Sequence, residues 1–446
     1  MDRIGTKRRK LLSVLALAVG TLIAAAAVSG HRSYPPAQAL FQAGVCPNKD
    51  GQIQEIPVGD AASSVISDAC DKGWSIASPA PSTPETDEGQ ALAALARNAL
   101  RDVSTLSPKV SGIVPAQRVA YAGWSANWRY VWPRDAAFVG TALARTGQLE
   151  SATEIYRFLA AHQLDDGTFR ARYKPDGTSP DDRSAQFESV GWYVWGLSQL
   201  VAHMGPDERS ALWAEFGTSI LAATDAMLRE TATGLPAPSS DYWERGETSL
   251  TLSTAAMTLA GLRAVSPIVE GIELPEEHSR IVVLAEATAA RLVDEIVEHF
   301  GPDYGRYGGG TAPDAAVAFT LPPFQPLALP GAFEAWQESL PRQFVEVSGG
   351  YAPGAGWKKD GLSWTPETTL HAWVAAEARL ATKAKKILAW TAAHTTQTGA
   401  IPEKVSVEGK PSAVAPLAWS SANVVLAYLA LDDHEPLEKT LETARP

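Results

Sequence analysis

The sequence predicts an all-α protein whose helices form a ring of hairpins, an α/α toroid. From residue 86 onward, apolar residues recur at spacings of three and four, the period of one helix face. β-branched residues rarely alternate over four or more positions, as they would in strands. Short turns alternate with long loops rich in Gly, Pro and Asp, which favours stacked hairpins. The alternatives are an irregular bundle and a solenoid, and the lack of a fixed-period repeat disfavours the solenoid.

Roughly ten to twelve helices are expected from this periodicity. Gly147 ends one predicted segment, Gly205-Pro206 separates two others, and Pro267 is expected to end the helix that begins at residue 248. The segments that can be bounded are residues 88–106, 134–146, 150–162, 188–203, 207–231, 248–265, 275–300, 367–390, 420–431 and 436–444.

The N-terminus is typical of an export signal. The basic cluster Lys7–Lys10 precedes an uncharged apolar run, residues 11–28. The run is also long enough for an uncleaved membrane anchor, and Ala37-Gln38-Ala39 resembles a cleavage site. The protein is therefore expected outside the cytoplasm, either secreted or anchored to the cell envelope.

Three regions follow from composition. Residues 1–39 are the signal or anchor, residues 40–85 a linker with a small N-terminal extension, and residues 86–446 the helical domain. The two cysteines, Cys46 and Cys70, lie in the second region. In an oxidising compartment they could form a disulfide worth roughly 3 kcal/mol, the alternative being two free thiols.

The charge balance excludes some partners. The chain has 38 Lys and Arg against 50 Asp and Glu, a net charge of −12. Nucleic acid is therefore not expected, because binding phosphates needs clustered cations. The membrane is expected as a partner only through the possible N-terminal anchor. No metal or cofactor is expected either, since two cysteines without a nearby histidine pair do not make a zinc site.

Tryptophan is abundant, with 14 residues, and half of them lie in or beside loops. Flat aromatic faces in a cleft can stack on sugar rings, although packing in the core is the alternative for any one of them. The loop tryptophans are Trp124, Trp128, Trp132, Trp243, Trp357, Trp364 and Trp419.

Two glutamates on loops are candidates for glycosidic-bond hydrolysis, which needs one protonated and one ionised carboxyl group. Glu244 follows Tyr242-Trp243, and an apolar wall there would raise its pKa, provided that Arg245 points away. Glu403 precedes Lys404, whose charge would keep it ionised as a base. The alternatives are a helix N-terminal Glu for the first and a surface ion pair for the second.

A third candidate segment is residues 128–138. Pro133 and Asp135 suit the first turn of a helix, and the Arg134–Asp135 pair could form a fork for sugar hydroxyls. A capping ion pair is the alternative.

These segments together resemble glycoside hydrolase family 15, the glucoamylases and glucodextranases. The likeness covers roughly residues 85–432, and its motifs occur in the family's order. They are Trp132-Pro133-Arg134-Asp135-Ala136, Asp241-Tyr242-Trp243-Glu244, Ile401-Pro402-Glu403 and Pro416-Leu417-Ala418-Trp419-Ser420. The resemblance implies an (α/α)6 barrel and an inverting, exo-acting enzyme that releases glucose from non-reducing ends of an α-glucan.

The resemblance also implies roles. Glu244 looks like the general acid and Glu403 like the general base, with the pKa of Glu244 the higher of the two and their carboxyl groups ~6.5–9.5 Å apart. The residues expected to contact substrate are Trp132, Arg134, Asp135, Gln186, Glu188, Trp243, Arg245 and Trp419.

Two departures from the family pattern stand out. The glycine-Arg-Tyr segment expected near the fifth hairpin reads Ser348-Gly349-Gly350-Tyr351-Ala352, without arginine. The C-terminal motif has Ser421 where the family has histidine. These motifs therefore do not define the aglycone subsite, and trehalose hydrolysis or action on α-1,6-linked dextran is an alternative within the family. A non-catalytic extracytoplasmic sugar-binding protein is the alternative from another class.

Overall fold

The computed structural model describes residues 34–77, 87–110 and 117–434. The basic cluster and apolar run of the predicted signal, and the predicted helix at 436–444, lie outside these residues. The chain divides into a unit that ends at Pro36, of which residues 34–36 are described, and a unit from Ala37 onward. Every element below belongs to the second unit.

The described residues contain twelve α-helices and two 3₁₀ helices. The α-helices are α1 Ala61–Asp68, α2 Asp87–Thr105, α3 Pro133–Arg145, α4 Leu149–Ala161, α5 Glu188–Val201, α6 Pro206–Glu230, α7 Leu252–Val269, α8 Glu276–Phe300, α9 Ala332–Gln343, α10 Thr365–Glu377, α11 Ala381–Ala393 and α12 Ala418–His434. The 3₁₀ helices are Ala126–Trp128 and Ala315–Thr320.

Strands are short. The part of the chain that the structure describes contains three small antiparallel sheets. The first pairs β1 Gly44–Pro47 with β2 Ile53–Ile56, and the second pairs β3 Lys109–Val110 with β4 Gln117–Arg118. In the third, β6 Lys404–Val405 pairs with both β5 Ser363–Trp364 and β7 Pro411–Ser412.

The helices form two concentric rings. The inner ring runs through α3, α5, α7, the 3₁₀ helix Ala315–Thr320, α10 and α12, and α12 closes on α3. Each inner element is preceded along the chain by an outer helix that packs on the ring: α2, α4, α6, α8, α9 and α11. Six outer–inner hairpins make an (α/α)6 barrel, so the predicted all-α toroid is confirmed. One inner position holds a 3₁₀ helix instead of an α-helix.

The two rings differ in sequence because they differ in burial. All of α3 is buried except Arg145, and all of α10 except Glu377, so inner helices are covered on every side. Where α5 and α7 cross, a Cβ on Gly191 would lie 2.0 Å from the carbonyl oxygen of Met257, so only glycine permits this approach. The outer helix α8 buries one face at three- and four-residue spacing: Val282, Ala285, Ala289, Leu292, Ile296 and Phe300.

One helix of the described residues, Leu252–Val269, is long and apolar enough to span a membrane. Most of it, 83%, is buried inside the protein. Its apolar composition is therefore that of an inner barrel helix.

Some predicted helix boundaries are wrong. Pro267 lies inside α7 rather than ending it. The predicted segment 367–390 is two helices, because the chain turns between α10 and α11, where Arg379 has a φ of 59°. Helices α1 and α9 were missed, although α9 buries one face at three- and four-residue spacing: Ala332, Ala335, Trp336, Ser339, Leu340 and Gln343.

The N-terminal extension is folded over its described part, residues 40–77. A disulfide joins Cys46 on β1 to Cys70 after α1, with Cα atoms 5.5 Å apart. The hydroxyl of Thr398 donates to the carbonyl of Ala43 at 2.6 Å, and Val45 belongs to the core of the barrel. The extension is thus packed on the barrel rather than being a free linker.

The disulfide gives a simple test. Titration of the native protein with a thiol reagent should find no free thiol, and titration after reduction and unfolding should find two. Two reactive thiols in the unreduced, unfolded protein would contradict the bonded arrangement.

Candidate active site

A cavity of about 310 Å³ lies where the inner helices begin, a size within the range of small-molecule sites. Trp132 and Trp364 line it from the N-cap positions of α3 and α10. Glu244 and Glu403 line it from the loops before α7 and α12. The fold therefore gathers at one cavity segments that are far apart in sequence.

Six of the seven loop tryptophans line this cavity: Trp128, Trp132, Trp243, Trp357, Trp364 and Trp419. Trp357 connects two of the others, with its ring 4.7 Å from that of Trp243 and 5.4 Å from that of Trp364, edge to face in both pairs. Trp124 does not line the cavity and packs on Tyr121 instead. The tryptophans form an aromatic wall of the kind that sugar rings contact.

Glu244 sits in a strained backbone conformation, with a φ of 55° that non-glycine residues rarely adopt. Its Oε1 accepts from Arg134 Nη2 at 3.0 Å and from Gln186 Nε2 at 2.7 Å. Its Oε2 accepts from Arg183 Nη1 at 2.5 Å. The expected apolar wall around this carboxyl is therefore wrong: Tyr242 and Trp243 line the same cavity, but the carboxylate itself faces three nitrogen donors.

Arg134 is held from beneath by two residues that do not line the cavity. It donates to Glu188 at 2.9 Å and to Gln186 at 3.1 Å. Glu188 is fully buried, so its charge is compensated there by Arg134. Gln186 and Glu188, expected to contact substrate, instead position Arg134.

Asp135 lines the cavity beside Arg134, with the guanidinium Nε 3.8 Å from its carboxylate. Burial raises the pKa of Asp135 to about 6, and Arg134 opposes this rise. The negative charges of Glu244 and Glu403 both add to it. Asp135 thus lies within electrostatic reach of both candidate catalytic carboxyls.

Glu403 is only 8% exposed. Its Oε1 accepts from Trp128 Nε1 at 3.2 Å, and Lys404 Nζ lies 3.2 Å from its Oε2. Burial raises the pKa of Glu403, and Lys404 and Trp128 oppose that rise without cancelling it. Lys404 is beside the carboxylate as expected, but the effect of burial on the pKa of Glu403 outweighs that of the Lys404 charge.

The loop that carries Glu244 is clamped by Arg306, a residue that the sequence analysis missed. Arg306 donates to Asp241 and Asp314 at 2.8 Å and to Glu247 at 2.7 Å. Its guanidinium also lies 3.7 Å from the centroid of a Trp243 ring. Arg306 lies in Gly305-Arg306-Tyr307. This is a glycine-Arg-Tyr segment of the kind that the family resemblance led us to expect at residues 348–352.

Arg245 points away from Glu244, as the sequence analysis had assumed. It pairs with Glu247 at 2.9 Å and donates to the hydroxyl of Tyr307 at 2.8 Å. It does not line the cavity, so the structure does not bring it to the predicted substrate site. Arg172 and Arg183 do line the cavity and were not expected, because the loop that carries them has no periodic pattern.

Within the described residues, no group of three or more His, Cys, Asp and Glu side chains is arranged to hold a metal ion. The cavity is lined by carboxyl groups, arginines, one lysine, one asparagine, aromatic rings and a few small or aliphatic residues.

No model of a known protein family matches the sequence, and no curated protein matches it. Solved structures do match. A glycosidase solved as a point variant superposes with a TM-score of 0.65 at 19% identity, covering 79% of this chain and 99% of that one. A glucoamylase from Saccharomycopsis fibuligera superposes with a TM-score of 0.59 at 12% identity, covering 79% of this chain and 96% of that one.

A bacterial glucoamylase complexed with acarbose also matches, with a TM-score of 0.59 at 16% identity, over 77% of this chain and 56% of that one. This chain has the glucoamylase fold. The likeness predicted from the four sequence motifs is confirmed for the fold. In the glucoamylase fold of this chain, those motifs meet at the cavity described above.

Proposed function

We propose that the protein is a glycoside hydrolase that removes glucose from the non-reducing end of an α-glucan with inversion. The observation that carries the proposal is that Glu244 and Glu403 line one cavity walled by tryptophans. Glycosidic-bond hydrolysis needs two such carboxyl groups on either side of the scissile bond. Solved structures of the same fold include a glycosidase complexed with glucose and a glucoamylase complexed with acarbose, which supports a carbohydrate substrate.

Action at a chain end is supported by what lies beneath the cavity. The ring of Trp419 lines the cavity and lies 5.2 Å from that of Phe138. Phe138 in turn contacts Trp192 and Trp373, and all three are fully buried. Because these rings close the cavity at its base, a glucan cannot thread through the barrel, which favours a substrate that enters by a chain end.

Glu403 is proposed as the general base. It would take a proton from the water that attacks the anomeric carbon. A base is most effective when its pKa lies near the working pH, and burial raises the pKa of Glu403 in that direction. Trp128 and Lys404 fix the orientation of its carboxylate.

Glu244 is proposed as the general acid, which protonates the departing oxygen. Its carboxyl must then carry a proton, so at least one of its donors must release it when substrate enters. Arg183 is the candidate, because its side chain is 36% exposed whereas that of Arg134 is 6% exposed. Arg134 and Asp135 are proposed to hold hydroxyl groups of the terminal glucose.

The proposal is tested with a panel of maltose, isomaltose, trehalose, dextran and soluble starch, with detection of released glucose. We expect release from at least one α-glucan. The double variant Glu244→Gln/Glu403→Gln, purified in the same way, is the control for contaminating glucosidases. Cleavage of trehalose alone would establish the trehalase alternative, and binding without any release would establish a sugar-binding protein and contradict the proposal.

A further inference from the structure

Glu367 is a buried carboxyl group at the cavity that the proposed mechanism does not use. It is the third residue of α10, it is 3% exposed, and it lines the cavity. Its own backbone N–H donates to its carboxyl group. Its Oε2 has no hydrogen-bond partner within the described part of the chain. Burying a polar oxygen without a partner costs free energy, so a ligand is the natural partner for this atom.

The other buried carboxylates near the cavity each lie beside a cation, although Asp241 Oδ2 and Glu403 Oε2 likewise lack a hydrogen-bond partner within the described residues. Glu188 is paired with Arg134, Asp241 and Asp314 with Arg306, and Glu403 with Lys404. For Glu367, none of the ion pairs among the described residues provides a cation. Glu367 therefore stands apart from the carboxylates that the protein itself compensates.

The protonation state of Glu367 follows from its surroundings. Burial raises the pKa of Glu367, the charges of Glu403 and Asp314 add to that rise, and its own backbone N–H and Arg134 oppose it, so that the pKa is about 8. The side chain of Tyr242 also interacts electrostatically with Glu367. At neutral pH the group is an uncharged carboxylic acid, with one O–H donor and an acceptor oxygen.

Backbone bonds fix Glu367 on the same side of the cavity as the proposed base. The N–H of Thr365, two residues before it, donates to the carbonyl of Glu403 at 3.0 Å. The strands that carry Trp364 and Lys404 are paired there. A sugar that lies against Glu403 therefore also lies within reach of Glu367.

We propose that Glu367 is a sugar-binding residue, whose carboxyl group exchanges a hydrogen bond with a hydroxyl group of the terminal glucose. A hydroxyl both donates and accepts, so it matches an uncharged carboxylic acid. The assignment rests on the proposed function, because it needs a terminal sugar in this cavity. The alternative is a helix-terminal role for Glu367. In that role an ionised Glu367 would interact with the N-terminus of α10, and its replacement would not change sugar binding.

The test is the binding of glucose, followed by the fluorescence of the cavity tryptophans at pH 6. Glu367→Met removes the donor and the acceptor at similar volume, and we expect it to weaken glucose binding about threefold to tenfold. Glu367→Gln keeps a donor and an acceptor, and its affinity should stay within about twofold of the wild type. The matched control is Gln343→Met. Gln343 is a buried amide outside the cavity whose oxygen also lacks a hydrogen-bond partner within the described residues, so its replacement should leave glucose binding unchanged.

A second arm uses pH. Above about pH 8 the wild type should lose affinity for glucose as Glu367 ionises, and Glu367→Gln should lose less, since it keeps every other titrating group. Glucose binding by Glu367→Met equal to the wild type would overturn the assignment while the proposed function stands. If Glu367→Met fails to fold, identical pH dependence of Glu367→Gln and the wild type would overturn it. A wild type that binds no glucose would overturn the proposed function, and the assignment with it.

Discussion

Replacement of either Glu244 or Glu403 by glutamine is expected to lower kcat by roughly 10²–10⁴-fold, because each change removes one proton transfer from the reaction. Both residues lie on loops rather than in the closely packed rings, so the fold should be retained. The measurement is glucose release from the α-glucan that the wild type cleaves best. The control is Glu408→Gln, an exposed glutamate five residues after Glu403, which should keep full activity.

The leaving group separates the two roles. A glucosyl fluoride needs no protonation of its leaving group, so it should partly restore the activity of Glu244→Gln. It should not restore Glu403→Gln, because the attacking water still needs a base. Full activity in both variants on a natural substrate would show that the site is assigned wrongly.

Arg306→Met is expected to lower the free energy of unfolding by at least about 3–5 kcal/mol, the usual cost of removing one partner of a buried ion pair. Arg306 pairs with three carboxylates, and the side chains of Asp241, Asp314 and Glu247 are at most 5% exposed. Activity should fall as well, because Arg306 holds the loop that presents Trp243 and Glu244. Chemical denaturation gives the stability, and glucose release at a temperature well below the transition gives the activity.

The matched control for this change is Arg157→Met. Arg157 pairs with Glu215 on the outer ring, and both side chains are at least 40% exposed. Exposed pairs contribute at most about 1 kcal/mol, so the control should stay near wild-type stability. Equal losses in the two variants would contradict a special role for the Arg306 cluster.

The helices of the ring could be predicted from the sequence because helix periodicity is local. The first turn of α3 is an example: Pro133 at its first position and Asp135 at its third indicated the boundary correctly. The 3₁₀ helix Ala315–Thr320 was not foreseeable in the same way, because only its place in the ring identifies it as the counterpart of an inner helix. The break at Arg379 was missed because the left-handed conformation there is carried by a residue that gives no glycine-like signal.

The surroundings of the site depend on contacts between distant parts of the chain. Tyr242 and Trp243 suggested an apolar environment for Glu244, yet its carboxylate contacts Arg134, which is 110 positions away. Trp128 reaches Glu403 across 275 positions. Glu367 reads as an ordinary first-turn glutamate after Pro366, and only the closure of the barrel buries it at the cavity.

Stereochemistry tests the central claim most directly. Proton NMR of the glucose released in the first minutes of hydrolysis, before mutarotation equilibrates the anomers, reports which face of the anomeric carbon was attacked. If Glu403 activates a water while Glu244 protonates the leaving oxygen, the first product is the β-anomer, since water attacks opposite the departing α-bond. The α-anomer as first product would mean that a carboxyl group acts as nucleophile, and it would contradict the inverting mechanism.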